Sequence, residues 1–330
     1  MSLNWVEPTT IEEASDCIIG ASRAFLTGDG FYKDFRLGLF PRVGDALRRD
    51  TYLREQAKGT SFPHWDESLK KLDQDPDLVV FEDAIAVSLE ESRSEIEVYP
   101  DDQVAVIPSH LPIGNVNACL AQYGLCLPIA DQDEFGIAAG LSTIGSLISL
   151  NLPHVLEKQC GTWKDWILGM KLVMADGTIA KSGSKAVKSV AGYDVHKLLI
   201  GARGSFGLIW DVTLRVSAVS SVPRPDCLFK SPVAWSHAFW IQRVALSDFA
   251  KAYEVARENT ICADNATGTI WAQVEPSDSL PRYPGDWVIR SGCGEKNVQI
   301  SDPAQIKLMK RAKQAFDPTN KLNPGEWGFM

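Results

Sequence analysis

Three glycines within seven residues, Gly201, Gly204 and Gly207, with Arg203 among them, form the stretch of this sequence whose spacing bears most directly on chemistry. Glycine is required where backbone lies against another group or turns through positive φ, because a Cβ would clash there. That group can be a ligand or simply neighbouring backbone. Arg203 adds a permanent cation to the bend. Gly192, Tyr193 and Asp194 stand just upstream, and Ile209 just downstream. A second glycine loop, Gly28-Asp29-Gly30, is followed by Phe31, Tyr32 and Lys33, and taken alone it reads as a strand-to-loop turn. Lys33 offers charge to an anion, whereas Phe31 has no hydrogen to donate.

The elements around these loops follow from periodicity. Leu208, Trp210, Val212, Leu214 and Val216 alternate with Asp211, Thr213, Arg215 and Ser217, which predicts a half-buried strand leaving the glycine bend. Residues 195–200 give a short helical signal, with Asp194 placed to cap it. Thr9 or Thr10 predicts the start of an N-terminal helix with Glu12 and Glu13 in its first turn, and residues 24–27 a strand running into Gly28. Ile85, Val87 and Leu89 alternate, and together with strands either side of Pro100-Asp101-Asp102 they predict a hairpin layer. Pro112 opens a helix with Val116, Leu120 and Tyr123 on its buried face and Gly124 past its end. Leu168, Met170, Leu172 and Met174 lead to the turn Asp176-Gly177, a second hairpin, with Trp163 and Trp166 buried against it. Beyond the prolines at 223, 225 and 232, a helix over 245–259, strands over 269–274 and 287–291, and a helix over 303–316 predict a small α+β unit.

A chain of 330 residues with 45% hydrophobic content has room for two domains. Its net charge of -9, with no Lys/Arg run, argues against a nucleic-acid surface. Residues 1–10 lack the apolar core of a signal peptide, and the longest apolar stretch, 135–152, is broken by Gly136, Gly140 and Gly145; a cytoplasmic protein without a membrane span is expected. Seven dispersed cysteines with no C-x-x-C pair fit reduced thiols rather than a zinc or iron–sulfur site. Any such cluster belongs on another chain.

The run VKSVAGYD followed by LLIGARGSFGLI resembles the FAD domain of the vanillyl-alcohol oxidase and para-cresol methylhydroxylase family, within it most the glycolate oxidase E subunit. The helix, strand and Gly28–Gly30 order resembles the opening of that domain, where loop N–H groups form a nest around pyrophosphate. Thr143-Ile144-Gly145-Ser146, after Ser142, resembles the second cofactor loop, with Ser146 in place of a glycine, a change tolerable where its φ stays negative. The terminal Phe316-Asp317-Pro318 and Leu322-Asn323-Pro324-Gly325 resemble the tail that folds back toward the flavin, placing Asn323 near the ring. Residues 39–82 match poorly and read as an insertion.

The resemblance implies an α+β fold: a two-subdomain FAD-binding domain over 1–220 and a short C-terminal α+β cap over 221–330, whose tail, 303–325, returns to the FAD domain. It implies non-covalent FAD, there being no histidine in the first loop, and oxidation of a small 2-hydroxy acid such as glycolate or D-lactate. The partners implied are a larger flavin subunit and an iron–sulfur subunit. A proton-accepting base is needed, but His110, His154, His196 and His237 are candidates by type only, and the catalytic residue stays unassigned. Two alternatives stand beside this one: a scaffold that keeps the fold but binds flavin weakly or not at all, with Phe31, Ser146 and the short cap pointing that way, and a stand-alone FAD-linked oxidase.

Overall fold

The computed structural model describes residues 4–26, 84–90, 92–128, 143–151, 153–154, 156–185, 194–223, 238–274, 281, 283, 287–291 and 303–324. The loop 28–33, the insertion 39–82 and Gly192-Tyr193 lie outside the described residues.

Strand β1 (Asn4–Val6) leads into helix α1 (Ile11–Gly20), which begins where predicted. Thr10 Oγ1 accepts from Glu13 N–H at 3.2 Å, while the Glu13 carboxylate accepts from Thr9 N–H at 2.8 Å and Thr10 N–H at 3.4 Å. These bonds satisfy helix-end donors that have no intrahelical acceptor. Ile11, Ala14 and Ile18 are buried beneath β2 (Arg23–Leu26) and β3 (Ala84–Val87). The expected hairpin role of Ile85, Val87 and Leu89 is corrected here. β3 is the middle strand of a parallel sheet ordered β1-β3-β2, and all four of its residues are buried. A parallel strand covered on both faces is an apolar run, and no true alternation existed to be read.

The larger sheet is antiparallel, ordered β4-β5-β9-β7-β8. Its strands are β4 (Glu97–Tyr99), β5 (Val104–Pro108), β7 (Ile167–Val173), β8 (Ile179–Gly183) and β9 (Leu208–Arg215). Both predicted hairpins are present, β4–β5 and β7–β8. β9 is not half-buried as expected, because it is central. Leu208 and Trp210 join the N-terminal core, Ile209, Val212 and Leu214 join the main core, and Thr213 is buried too. The strand therefore welds the two sheets together.

Helix α2 (Ile113–Ala121) buries Val116 and Leu120, but Tyr123 lies past its end and is exposed; Gly124, at φ +69°, follows it. A two-stranded pair, β6 (Leu125–Cys126) with β10 (Ser217–Ala218), and helices α3 (Ile144–Leu150), α4 (Glu157–Cys160) and α5 (Trp163–Trp166) complete this part. Trp163 and Trp166 are buried edge to face, with Trp166 Nε1–H donating to the Cys160 carbonyl at 2.7 Å.

The C-terminal sheet is ordered β12-β13-β11-β14, with β11 (Ala238–Arg243), β12 (Thr260–Asp264), β13 (Thr269–Val274) and β14 (Trp287–Ser291). Helix α6 (Leu246–Ala256) packs Ala252 and Ala256 on it, and helix α7 (Pro303–Phe316) follows. Ile241, Cys262 and Trp271 share one buried cluster with Trp163, Trp166 and Ile167, so this sheet has a core in common with the antiparallel one. Among the described residues no helix is long and apolar enough to cross a membrane.

Candidate functional site

The glycine bend takes the shape its residues allow. A 3-10 turn, Val195–Leu198, leads to Gly201 at φ +77°, Arg203 at +55° and Gly204 at +70°. Left-handed backbone is cheap for the glycines and costly for Arg203, which therefore needs support from its surroundings. The end of α3 provides it. Gly201 N–H donates to the Ile148 carbonyl at 2.9 Å and Arg203 N–H to that of Ser149 at 2.8 Å.

The chain's tail locks onto the other side of the bend. After α7, Asp317 is wholly buried; Oδ2 accepts from Leu322 N–H at 2.7 Å and Oδ1 from Lys321 N–H at 2.9 Å. Lys313, one helical turn earlier and 5% exposed, places its ammonium 2.7 Å from Asp317 Oδ2, 3.0 Å from the Ser205 carbonyl and 2.7 Å from the Leu322 carbonyl. All three ammonium donors are thus used, which is the condition for burying such a charge. Phe316 stacks on Phe206 at 5.1 Å.

Asn323 then ties together segments far apart in sequence. Its Oδ1 accepts from Leu26 N–H at 2.7 Å, its Nδ2 donates to the Arg203 carbonyl at 2.8 Å, and its own N–H donates to the Ala24 carbonyl at 2.9 Å. Leu26 ends β2, directly before the glycine loop at 28–33. The end of β2, the 201–207 bend, α3 and the tail therefore meet at one place. Of the predicted cofactor segments, the 201–207 bend and Asn323 meet here, whereas Thr143–Ser146 stand at the far end of α3 from the residues that touch the bend, and loop 28–33 lies outside the described residues.

The predicted residues have different surroundings. Thr143 caps α3, accepting from Ser146 N–H at 3.3 Å and donating to Ser146 Oγ at 2.8 Å. Ser146 lies inside the helix, not among the positive-φ residues, so the missing second glycine costs nothing. A Cβ on Gly145 would sit 2.9 Å from Ser109 Cβ, and Gly145 N–H donates to the Ser109 carbonyl at 2.7 Å. Gly207 similarly faces Leu172 and Val173, and Ile144 and Ile209 are buried in the main core. Glycine at 145 is required by the protein's own packing, and a Cβ at 207 would crowd Leu172 and Val173. Asp194 does not cap the following turn as expected; it pairs with Lys197 at 2.7 Å on the surface. Ser205 and Lys313 were not singled out from sequence, and Asp317 entered only as part of the terminal Phe-Asp-Pro motif. The Lys313/Asp317 spacing of four on a helix was the available signal.

An FAD-sized ligand can be tested against this junction. A Cβ on Gly201 would meet Asn151 Cβ at 3.3 Å, but Gly204 presents no side chain there and Ser205 Oγ is buried with no partner among the described residues. Both features fit a bend that lies against a polar ligand. The N–H groups of residues 144–147, 201, 202, 203 and 205 are already taken by protein oxygens, so phosphate donors would have to come from elsewhere in the predicted loops.

The described histidines, His110, His154 and His196, are structural in placement, and His237 lies outside the described residues. Burial pushes His154 down to about 4, with its Nε2 3.0 Å from the Gly161 carbonyl and its ring against Trp166. His110 is likewise lowered to about 4 by burial and sits between Ser92 and Ser94. His196 is also lowered by burial and contacts Ser182 Oγ at 3.0 Å. A second polar cluster joins the antiparallel part to the C-terminal sheet: Glu157 to Arg243 at 2.6 Å, and Arg243 Nε to Thr269 Oγ1 at 2.9 Å. Burial raises the Glu157 carboxyl against the opposing pull of Arg243. Among the described residues no group of His, Cys, Asp and Glu could hold a metal.

Comparison with known proteins bears on the same tail. The model for the C-terminal domain of FAD linked oxidases matches residues 298–327, the stretch holding Lys313, Asp317 and Asn323. Glycolate oxidase subunit GlcE of Escherichia coli (strain K12) is 26% identical over 277 residues, covering 72% of this chain and 76% of that protein. The similarity is thus to FAD linked oxidases over the tail and to GlcE over most of the chain. A D-lactate dehydrogenase of Archaeoglobus fulgidus is 29% identical over 135 residues, covering 41% of this chain and only 29% of that protein. Among solved structures, Phl p 4, a grass pollen allergen with glucose dehydrogenase activity, aligns with a TM-score of 0.45 at 13% identity, over 98% of this chain and 52% of that one.

Proposed function

We propose that this chain binds FAD non-covalently at the junction held by Asn323, and that it serves as a flavoprotein subunit in oxidation of a small 2-hydroxy acid such as glycolate or D-lactate. The observation that carries the reading is the pair of hydrogen bonds from the Asn323 side chain to Leu26 and Arg203, which gathers the segments expected to form an FAD cradle. In this reading residues 1–220 are the FAD-binding part, 221–330 a reduced cap, and the tail, 303–325, returns to close the cradle.

Bound FAD would supply the hydride or electron acceptor. The chain's own residues hold and orient it. Gly201 and Gly204 carry no Cβ into the bend, Ser205 Oγ offers a buried hydrogen-bonding group, and the resemblance assigns loop 28–33 with Gly192 and Tyr193 to the same cofactor. Arg203 contributes a cation from within the bend's own sequence, in addition to the Lys313 ammonium bonded to the Ser205 carbonyl. No described histidine is placed as a base: burial makes His110 and His154 weak bases, and His110, His154 and His196 are each engaged with protein groups.

A larger flavin subunit and an iron–sulfur subunit are the proposed partners. Similarity to GlcE supports this, as does a 33% identity over 86 residues, 26% of this chain and 17% of that protein, to glycolate oxidase subunit GlcD of Bacillus subtilis (strain 168). A second reading, a scaffold that keeps the fold without flavin, is favoured by the N–H groups of α3 and the bend that protein oxygens already occupy. The visible spectrum of the purified chain with and without added FAD separates the two. A flavin spectrum that glycolate or D-lactate bleaches anaerobically supports autonomous catalysis, one that persists unbleached supports a subunit role, and no flavin bound leaves the scaffold.

A further inference from the structure

Helix α7 is anchored in an unusual way: among its residues the buried one is a lysine. Lys313 Nζ reaches the Ser205 carbonyl, and two residues earlier in the bend Asn323 Nδ2 reaches the Arg203 carbonyl. The tail thus holds the carbonyls on both sides of Gly204. In a trans peptide the N–H points opposite to the C=O. Fixing those two carbonyls toward the tail turns the N–H groups of Gly204 and Phe206 to the opposite side, and no acceptor among the described residues takes either of them.

We infer that Lys313 is a positioning residue for the cofactor, holding the bend so that the N–H groups of Gly204 and Phe206 face FAD, and that tail closure and FAD binding are coupled through it. The inference rests on the proposed FAD reading. Asp317 is part of the device: it is wholly buried, 2.7 Å from the ammonium, and it also accepts from Leu322 N–H, so the ion pair and the tail's return form together. Coupling is reciprocal, so whatever Lys313 contributes to FAD affinity FAD must return as protection of the tail.

The test compares the parent chain with Lys313→Met, an uncharged side chain of similar length. FAD affinity is measured by quenching of flavin fluorescence, and amide hydrogen exchange is followed over 203–206 and 317–324 with and without FAD. The expected result is that FAD slows exchange in both segments of the parent, and that Lys313→Met weakens FAD binding within the range of about 5–150-fold typical of coupled sites. A parent that binds FAD beside a variant that binds it within about twofold, with the tail exchanging freely, overturns the inference and leaves the FAD reading intact. A parent that binds no FAD overturns both. Should Lys313→Met fail to fold, Asn323→Ala, which releases the Arg203 carbonyl and spares the ion pair, carries the same comparison, and an unchanged FAD affinity there overturns the inference.

Discussion

Cutting the Glu157–Arg243 bridge from its two ends should have unequal effects. Glu157 is 6% exposed and Arg243 34%, so water can solvate a lone Arg243 but not a lone Glu157. Arg243→Met leaves a buried carboxylate facing Asp264 without its cation. Breaking a buried pair costs about 3–5 kcal/mol, and discounting for the exposed arginine gives about 2–3 kcal/mol. For a chain of this size that corresponds to about 3–4 °C in Tm. Glu157→Gln removes the charge that burial disfavours, and its cost should stay near about 1 kcal/mol. The pH dependence follows from the raised Glu157 carboxyl. The folded chain binds that proton more tightly than the unfolded one, so ionisation lowers stability as pH rises from the ordinary carboxylate range through the folded value. Arg243→Met raises the folded value further and widens that window. Its deficit should therefore be largest at pH 7 and shrink toward pH 5. The nearby His154 is held to about 4 by burial and stays neutral across this range. Thermal unfolding of parent and both variants at pH 5, 6 and 7 decides the matter. Equal losses for the two variants at pH 7, or an Arg243→Met deficit independent of pH, would refute the reasoning.

Other consequences are simpler. Gly183 pairs directly with Gly169, has φ +78°, and a Cβ there would overlap the Leu168 carbonyl, so Gly183→Ala should cost about 3 kcal/mol or more in denaturant unfolding. Thr10→Ala removes one half of the α1 capping box and should cost about 1 kcal/mol by the same measurement. In histidine NMR titrations the His110 and His154 rings should remain neutral at pH 6 and protonate near about 4; a midpoint for either near its ordinary value would show that it is not buried as described.

Local pattern made much of this fold legible. The ends of α7, β13 and β14 follow directly from periodicity and breakers, and the Thr10 cap and the Asp176-Gly177 hairpin turn were readable from residue type. β11 and β12 were missed because neither carries a period-2 signal bounded by turn residues, and both owe their pairing to β13. β3 was misassigned because burial on both faces erases the alternation that marks a hairpin strand. At the candidate site the glycines of the bend were visible and Asn323 was named through the resemblance of the tail, but the hydrogen bonds by which it supports the bend were not legible. Asn323 acts across 297 residues to Leu26 and 120 to Arg203, and no local pattern encodes contacts at that range. Gly145 and Gly207 show the converse: glycines in a cofactor-like motif whose need for a missing Cβ is met by Ser109, Leu172 and Val173.

The central claim is that FAD lies against the bend at Gly204. It is tested most directly by titrating FAD into the parent chain and into Gly204→Val, with circular dichroism confirming that both are folded. The account predicts saturable binding by the parent and its loss in the variant. No binding by the parent, or equal affinity in the two, would contradict it.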